Sequence, residues 1–200
     1  MVALIFFTTF AFAGGDQNQN RHDGELGEGP TQQQRIANSN IDALQVGQVD
    51  AALKELIYSI YEEEKVARDV YITLGKLYPD ENTFANIQLS GQNHMDAVEK
   101  LCLKYGIEIG VSDDLEYVGD FTIDSMGELY VGFVERGKDS LKDALQVGID
   151  IEEMDIDNLA YAIAAKGMPT DVRRVLNNLL NASLNHLDAF EAAYLRETLQ

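Results

Sequence analysis

The sequence is poor in cysteine, in basic residues and in long apolar runs, and each shortage excludes a class of protein. The single cysteine, Cys102, excludes an intramolecular disulfide framework and any zinc or iron–sulfur site held by four thiolates. Lys and Arg total 15 against 34 Asp and Glu, and the net charge of −19 argues against binding to DNA, RNA or an anionic membrane surface. No apolar run reaches the roughly 20 residues that a membrane-spanning helix needs.

The 200 residues divide into an apolar start, a polar leader and one domain. Residues 1–13 resemble the apolar part of a secretory signal, although no Lys or Arg precedes them. Two interpretations stay open: export to the periplasm or the cell exterior, or a mis-assigned start of a cytoplasmic protein. Residues 14–44 are rich in Gln, Asn and Gly, which predicts a disordered leader. Residues 45–200 are then the folded domain.

Apolar residues recur every three or four positions in four segments of this domain, which predicts four long helices. The expected helices cover about residues 50–78, 81–105, 140–166 and 170–198. Gly106 is expected to end the second helix, and Ser140 and Thr170 to cap the last two. Residues 106–139 combine a short β-like run, turn residues and a modest helix near 125–136. The predicted fold is all-α, a four-helix bundle with a long crossover that carries a short extra helix between the second and third helices.

A sequence repeat relates the second helix to the fourth. Residues 91–99 and 183–191 share the pattern Asn-His-x-Asp-Ala-x-Glu, in which x is apolar. His94 and His186 are equivalent in this pattern, and each lies on the apolar stripe of its helix. The preceding helices each carry a glutamate in register with their own stripe. The domain is therefore interpreted as two copies of one unit, an inward glutamate followed by an inward histidine.

Two carboxylates and two imidazoles that converge in a helical core predict a metal site. A glutamate on a core-facing stripe is costly to bury unless it is paired or binds a cation. Carboxylate and imidazole ligands without thiolate favour iron, manganese or zinc. The predicted metal ligands are Glu64, His94, Glu152 and His186.

Two of these choices have a rival at the neighbouring position. Glu63 also continues an apolar stripe, and Glu64 is preferred by its spacing. Glu152 is preferred to Glu153 because it falls on the stripe of the third helix. Part of the acidic run 62–64 is expected to face solvent, since three consecutive helical positions span about 200°. Tyr71 is expected to be a core residue.

Four motifs, in matching order, resemble those of a ferritin-like, rubrerythrin-related family of bacteria and archaea that has no assigned function. The motifs are residues 62–71, 93–98, 151–156 and 183–190. The resemblance covers about residues 50–192 and implies a ferritin-like four-helix bundle. Proteins of this class commonly hold two iron or manganese ions, with a Glu from each of two helices and a Glu-x-x-His from each of the other two.

The resemblance implies the same four ligands, Glu64, His94, Glu152 and His186. The sequence departs from the dinuclear pattern at Gly91 and Ser183, where the two bridging glutamates are expected. We therefore expect one ion held by two Glu and two His, or two ions bridged by water, hydroxide or a neighbouring carboxylate. The neighbouring carboxylates are Glu63, Glu153 and Asp155.

The expected function is that of an iron- or manganese-binding protein, with zinc as a further metal. The candidate activity is that of a non-haem oxidoreductase acting on dioxygen, peroxide or ferrous iron. The alternative is a non-catalytic acidic helical bundle with a degenerate metal site, in which Glu–His hydrogen bonds replace the metal and the protein sequesters cations or docks a partner. A homodimer is compatible with both. Nucleic-acid binding and insertion of the folded domain into a membrane are not expected.

Overall fold

A computed structural model describes residues 49–199, whose regular structure is entirely helical. The helices are α1 (Ala51–Leu77), α2 (Asn82–Tyr105), α3 (Asp124–Gly137), α4 (Leu141–Ile163) and α5 (Thr170–Thr198), with a short 3₁₀ helix at Leu115–Tyr117. No β-strand occurs between residues 49 and 199, which confirms the predicted all-α class. None of the helices in that range is both long and apolar enough to cross a membrane. The predicted signal, leader and domain start at residue 45 lie outside the described residues.

The ends of three helices follow local signals in the sequence. Asp50 caps α1, because its carboxylate accepts a hydrogen bond from the Leu53 N–H at 2.8 Å. The Ser140 hydroxyl accepts from the Asp143 N–H at 3.1 Å, which confirms the predicted start of α4. Gly106 ends α2 with a φ of 62°, a left-handed conformation that glycine adopts without a steric cost.

The packing of the helices centres on α1. This helix packs along α2, and α4 packs along α5. Helix α1 also contacts α3 and α4, and α2 contacts α5. Because α3 contacts both α1 and α4, the connection between α2 and α4 folds back over α1.

The buried apolar side chains form two separate clusters along the length of the helices. The first cluster includes Ile57, Val98, Leu159 and Leu176, and the second includes Val70, Phe84, Leu145 and Phe190. Each long helix contributes to both clusters, and α3 contributes only to the second. On each long helix, the predicted metal ligand lies between the part that joins the first cluster and the part that joins the second.

One local prediction is wrong. Pro169 is the capping residue of α5, since its carbonyl accepts from the Arg173 N–H at 2.9 Å, and Thr170 is already helical. The β-like run at residues 107–111 forms no strand, in agreement with the predicted all-α class. Its alternating apolar side chains pack against the first cluster instead, so the alternation reflects one buried face of an extended segment that lies on helices.

The acidic run of α1 is buried throughout, contrary to the expectation that part of it faces solvent. Glu62, Glu63 and Glu64 expose 0%, 7% and 4% of their surface. The Glu62 carboxylate accepts the N–H groups of Thr122 at 3.0 Å and Ile123 at 2.9 Å, just before α3. The connection therefore covers the side of α1 that helical spacing alone assigns to solvent.

Three further charged side chains of α1 are buried and form hydrogen bonds to the connection between α2 and α3. Asp69 pairs with Lys65 Nζ at 2.6 Å and with Arg68 Nη2 at 2.7 Å. Both cations also donate to the connection, Lys65 to the Tyr117 carbonyl at 2.9 Å and Arg68 to the Asp113 carbonyl at 2.8 Å. Buried charges are tolerated when they are paired and hydrogen-bonded in this way.

Close packing of α4 on α5 predicts an unusual response to a glycine substitution. A Cβ at Gly148 would lie 2.5 Å from Cδ1 of the fully buried Phe190. We expect Gly148→Ala to lower the free energy of unfolding by about 1–3 kcal/mol through overpacking. The matched control is Gly132→Ala on α3, where no atom lies within 4 Å of the new Cβ. It should raise stability by about 0.5–1 kcal/mol, as alanine does in an open helix.

Urea denaturation of both variants followed by circular dichroism measures the two changes. A stabilised Gly148→Ala protein would contradict the close approach of the two helices.

Candidate functional site

The four predicted ligands lie between the two apolar clusters and come together there. Glu64 Oε2 on α1 lies 3.0 Å from His94 Nδ1 on α2. Glu152 Oε2 on α4 lies 3.5 Å from His186 Nδ1 on α5. The two imidazole rings stack with their centroids 5.4 Å apart. The two halves of the repeat thus meet as equivalent Glu–His pairs, and we call this region the polar layer.

The asparagines next to the histidines in the repeat have a different role. Asn93 Nδ2 donates to the Leu89 carbonyl at 3.1 Å, and Asn185 Nδ2 donates to the Asn181 carbonyl at 2.8 Å. Both asparagines are exposed and bond only one turn back along their own helix in these contacts. The histidines therefore point into the protein interior, and the asparagines lie on the helix surface.

Two further carboxylates belong to the polar layer. Glu63 accepts a hydrogen bond from Asn158 Nδ2 at 3.3 Å. Asp155, which is partly buried, accepts one from the Ser183 hydroxyl at 2.5 Å. Glu153, the third neighbouring carboxylate considered from the sequence, is exposed. The layer therefore contains four carboxyl groups and two imidazoles.

Tyr71 belongs to the core, as expected, and it also contacts the polar layer. Its hydroxyl donates to Glu152 Oε1 at 2.7 Å across the helix interface. Its ring packs against Phe190 with centroids 5.0 Å apart and against Phe84 at 6.3 Å. Its spacing from Glu64 places it on the same helix face, but no local signal identifies Glu152 as its partner.

Burial and mutual repulsion raise the pKa of three carboxyl groups in the layer. Burial, followed by the charge of Asp155, raises the pKa of Glu63 to about 8. Burial, followed by Glu152, raises the pKa of Glu64 well above its usual range. Loss of hydration, followed by the charges of Glu64 and Glu152, does the same to the pKa of Asp155. Burial lowers the pKa of His94, while the charges of Asp155 and Glu152 act in the opposite direction.

Two oxygens of the layer are buried without a hydrogen-bond partner among residues 49–199: Glu63 Oε1 and Glu64 Oε1. A buried carboxylate oxygen without a partner is costly, so these two atoms need an explanation. In the same range, no group of three or more His, Cys, Asp or Glu side chains has the arrangement that would hold a metal ion. Each imidazole Nδ1 lies directly against a glutamate instead.

Gly91 lies where α2 approaches α1 closely. A Cβ built on Gly91 would lie 3.2 Å from Cβ of Arg68, and thus against α1. A glutamate at this position would press on Arg68 before it reached the histidines. Ser183, its equivalent in the repeat, is buried and hydrogen-bonded to Asp155. The two positions where the dinuclear pattern has glutamates are therefore not alike.

The chain belongs to a family of proteins without an established function. Residues 53–197 match the family described as an uncharacterized protein domain (DUF2202), and this span contains every residue of the polar layer. The family part of the resemblance noted in the sequence is thereby confirmed.

One relative is similar in both sequence and structure. The uncharacterized protein MJ0754 of Methanocaldococcus jannaschii is 43% identical over 137 residues, which is 68% of this chain and 72% of the relative. The crystal structure of the hypothetical protein MJ0754 from Methanococcus jannaschii has a TM-score of 0.71 to this chain, at 38% identity. The match covers 76% of this chain and 84% of that one.

The raised pKa of Glu63 predicts a loss of stability in alkaline solution. The unfolded group titrates near 4.5 and the folded group near 8, so the folded state binds more protons between these values. The free energy of unfolding of the metal-free protein must then fall as the pH rises through this window. Glu63→Gln cannot ionise, and we expect it to exceed the native protein in stability at about pH 9 by more than about 1 kcal/mol.

Urea denaturation in chelator at about pH 5 and about pH 9 provides the measurement. Glu153→Gln, on the exposed surface of α4, is the control and should leave both values within about 0.5 kcal/mol. Equal stability of native protein and Glu63→Gln at the higher pH would contradict the raised pKa.

Proposed function

We propose that the polar layer is a divalent-cation centre inside a ferritin-like four-helix bundle formed by α1, α2, α4 and α5. The connection that carries α3 is then the crossover of the bundle. The pairing of α1 with α2 and of α4 with α5, together with the contacts between the pairs, supports this arrangement. The observation that carries the cation centre is the excess of carboxyl groups over imidazoles in a buried layer.

The charge balance of the layer favours a cation. The four carboxyl groups of the layer bring up to four negative charges. The two imidazoles, those of His94 and His186, bring at most two positive charges. Without a cation, the carboxyl groups must hold protons, which is what the raised pKa values of Glu63, Glu64 and Asp155 express. A divalent ion would neutralise the same charges and would offer a partner to the unpaired oxygens of Glu63 and Glu64.

The donor set fits iron or manganese best, with zinc as a further metal. The ligands are proposed to be Glu64, His94, Glu152 and His186, as the sequence predicts, with one or two ions bound. Binding would replace the Glu64–His94 hydrogen bond and the Glu152–His186 contact, because these nitrogen and oxygen atoms would serve the ion instead. The four side chains already share one layer, which supports the proposal that they can turn to a common ion.

We further propose that the loaded protein is a non-haem oxidoreductase acting on dioxygen, peroxide or ferrous iron. Bound iron or manganese would supply the one-electron redox chemistry. Tyr71 would hold Glu152 in position through its hydroxyl, and Phe84 and Phe190 would keep water away from that side of the layer. The side chains of His94 and His186 are 11% and 14% exposed, so small molecules would reach the layer along the imidazole pair.

The direct contacts within the Glu–His pairs favour a second function. Glu64 Oε2 and His94 Nδ1 already pair with each other at 3.0 Å, so this half of the repeat has a hydrogen bond that needs no metal. The protein would then be a non-catalytic acidic helical bundle that sequesters cations weakly or docks a partner. Measurement of bound metal separates the two functions.

Removing both histidines should abolish metal binding. The untagged full-length chain is treated with Fe²⁺, Mn²⁺ or Zn²⁺, desalted and analysed by plasma mass spectrometry. We expect about one or two equivalents of iron or manganese in the native protein. The double variant His94→Ala, His186→Ala should retain none, because it lacks both nitrogen ligands.

The matched control is the double variant Asn93→Ala, Asn185→Ala, which changes the preceding residue in each half of the repeat and should retain the metal. Iron-loaded native protein and the histidine variant are then compared for consumption of dioxygen and peroxide. A folded native protein that binds none of the three metals would overturn the cation centre and leave the second function.

A further inference from the structure

The contact between Ser183 and Asp155 distinguishes the second half of the repeat from the first. Ser183 lies one turn before His186 on α5, where the dinuclear pattern has a glutamate. It is buried, and its hydroxyl donates to Asp155 Oδ2 at 2.5 Å while also bonding to the Leu179 carbonyl at 3.0 Å. A carboxylate is therefore present beside position 183, although α5 itself does not supply it.

Asp155 lies one turn after Glu152 on α4, so the two carboxylates share one face of that helix. The hydrogen bond to Ser183, one turn before His186, places the Asp155 carboxylate beside the second Glu–His pair. In agreement, its charge contributes to the pKa shifts of Glu63 on α1 and His94 on α2. Asp155 therefore lies at the polar layer.

The Ser183 hydroxyl has a direct effect on the orientation of Asp155. By donating to Oδ2, it fixes one carboxylate oxygen and leaves Oδ1 as the acceptor for another group. Hydrogen bonds of this kind orient carboxylate ligands in metal sites. The small serine side chain also leaves the space in which the aspartate carboxylate lies.

We propose that Asp155 is a ligand of the cation centre and supplies from α4 the carboxylate that position 183 of α5 lacks. Ser183 is then a positioning residue that holds this ligand by a hydrogen bond. The inference rests on the proposed cation centre and adds a fifth ligand to it. The first half of the repeat has no such substitute at Gly91, where the close approach of Arg68 fills the space. The centre is therefore asymmetric.

The test is equilibrium binding of Mn²⁺ to the full chain, measured by titration with electron paramagnetic resonance detection of free and bound ion. Asp155→Asn keeps the shape of the side chain and removes its charge, and we expect it to weaken binding at least about tenfold. Asp157→Asn, two residues further along α4 and exposed, is the matched control and should bind as the native chain does. Circular dichroism and urea denaturation verify that each variant is folded.

Relocation of the carboxylate provides a second, independent readout. Asp155→Ser should weaken binding as Asp155→Asn does. The double variant Asp155→Ser, Ser183→Glu returns a carboxylate to α5 and should bind Mn²⁺ more tightly than Asp155→Ser alone. A role for Asp155 in folding alone would not produce this rescue.

The Mn²⁺ titrations test three statements separately: the role of Asp155, the relocation of the carboxylate and the cation centre itself. If the native chain binds Mn²⁺ and folded Asp155→Asn binds it equally well, the role of Asp155 is overturned and the cation centre stands. If the folded double variant binds no better than Asp155→Ser, the relocation from α5 to α4 is overturned. If the folded native chain binds no Mn²⁺, Fe²⁺ or Zn²⁺, the cation centre itself is overturned.

Discussion

The burial of charged side chains on α1 is the constraint on which the rest of the structure depends. Between Glu62 and Asp69 this helix buries six charged residues, and each needs a partner from another element. On one side Glu62, Lys65 and Arg68 bond to the connection that leads to α3. On the other side Glu64 meets His94. The same helix therefore holds the connection in place and supplies Glu63 and Glu64 to the polar layer.

The polar layer divides the apolar core and has two ways to neutralise its carboxyl groups. In the metal-free protein, burial and mutual repulsion favour the protonated forms, since they raise the pKa of Glu63, Glu64 and Asp155. A divalent cation would neutralise the carboxyl groups in the proposed centre. The two solutions compete, so metal binding would release protons and would couple to stability. The layer lowers the stability that an apolar core would have, and the proposed function explains why such a layer exists.

The repeat is symmetric at the Glu–His pairs and asymmetric one turn before each histidine. At Gly91 the missing side chain allows α2 to approach Arg68 of α1 closely. At Ser183 a short hydroxyl group leaves room for Asp155 of α4. Equivalent positions in the two halves therefore serve different purposes, helix packing in the first and orientation of a carboxylate in the second.

The sequence by itself determined the all-α class, the approximate helix bounds, the Ser140 cap, the glycine that ends α2 and the meeting of two Glu–His pairs. These features depend on apolar periodicity, on local capping chemistry and on a repeat, all of which are visible along the chain. Only the tertiary structure decided that Glu62 is buried, that Asp155 and not Glu153 joins the layer, and that Gly91 lies against Arg68. The reason is physical: each of these depends on which helices become neighbours and on where the connection crosses α1, and pairings between distant residues leave no local pattern.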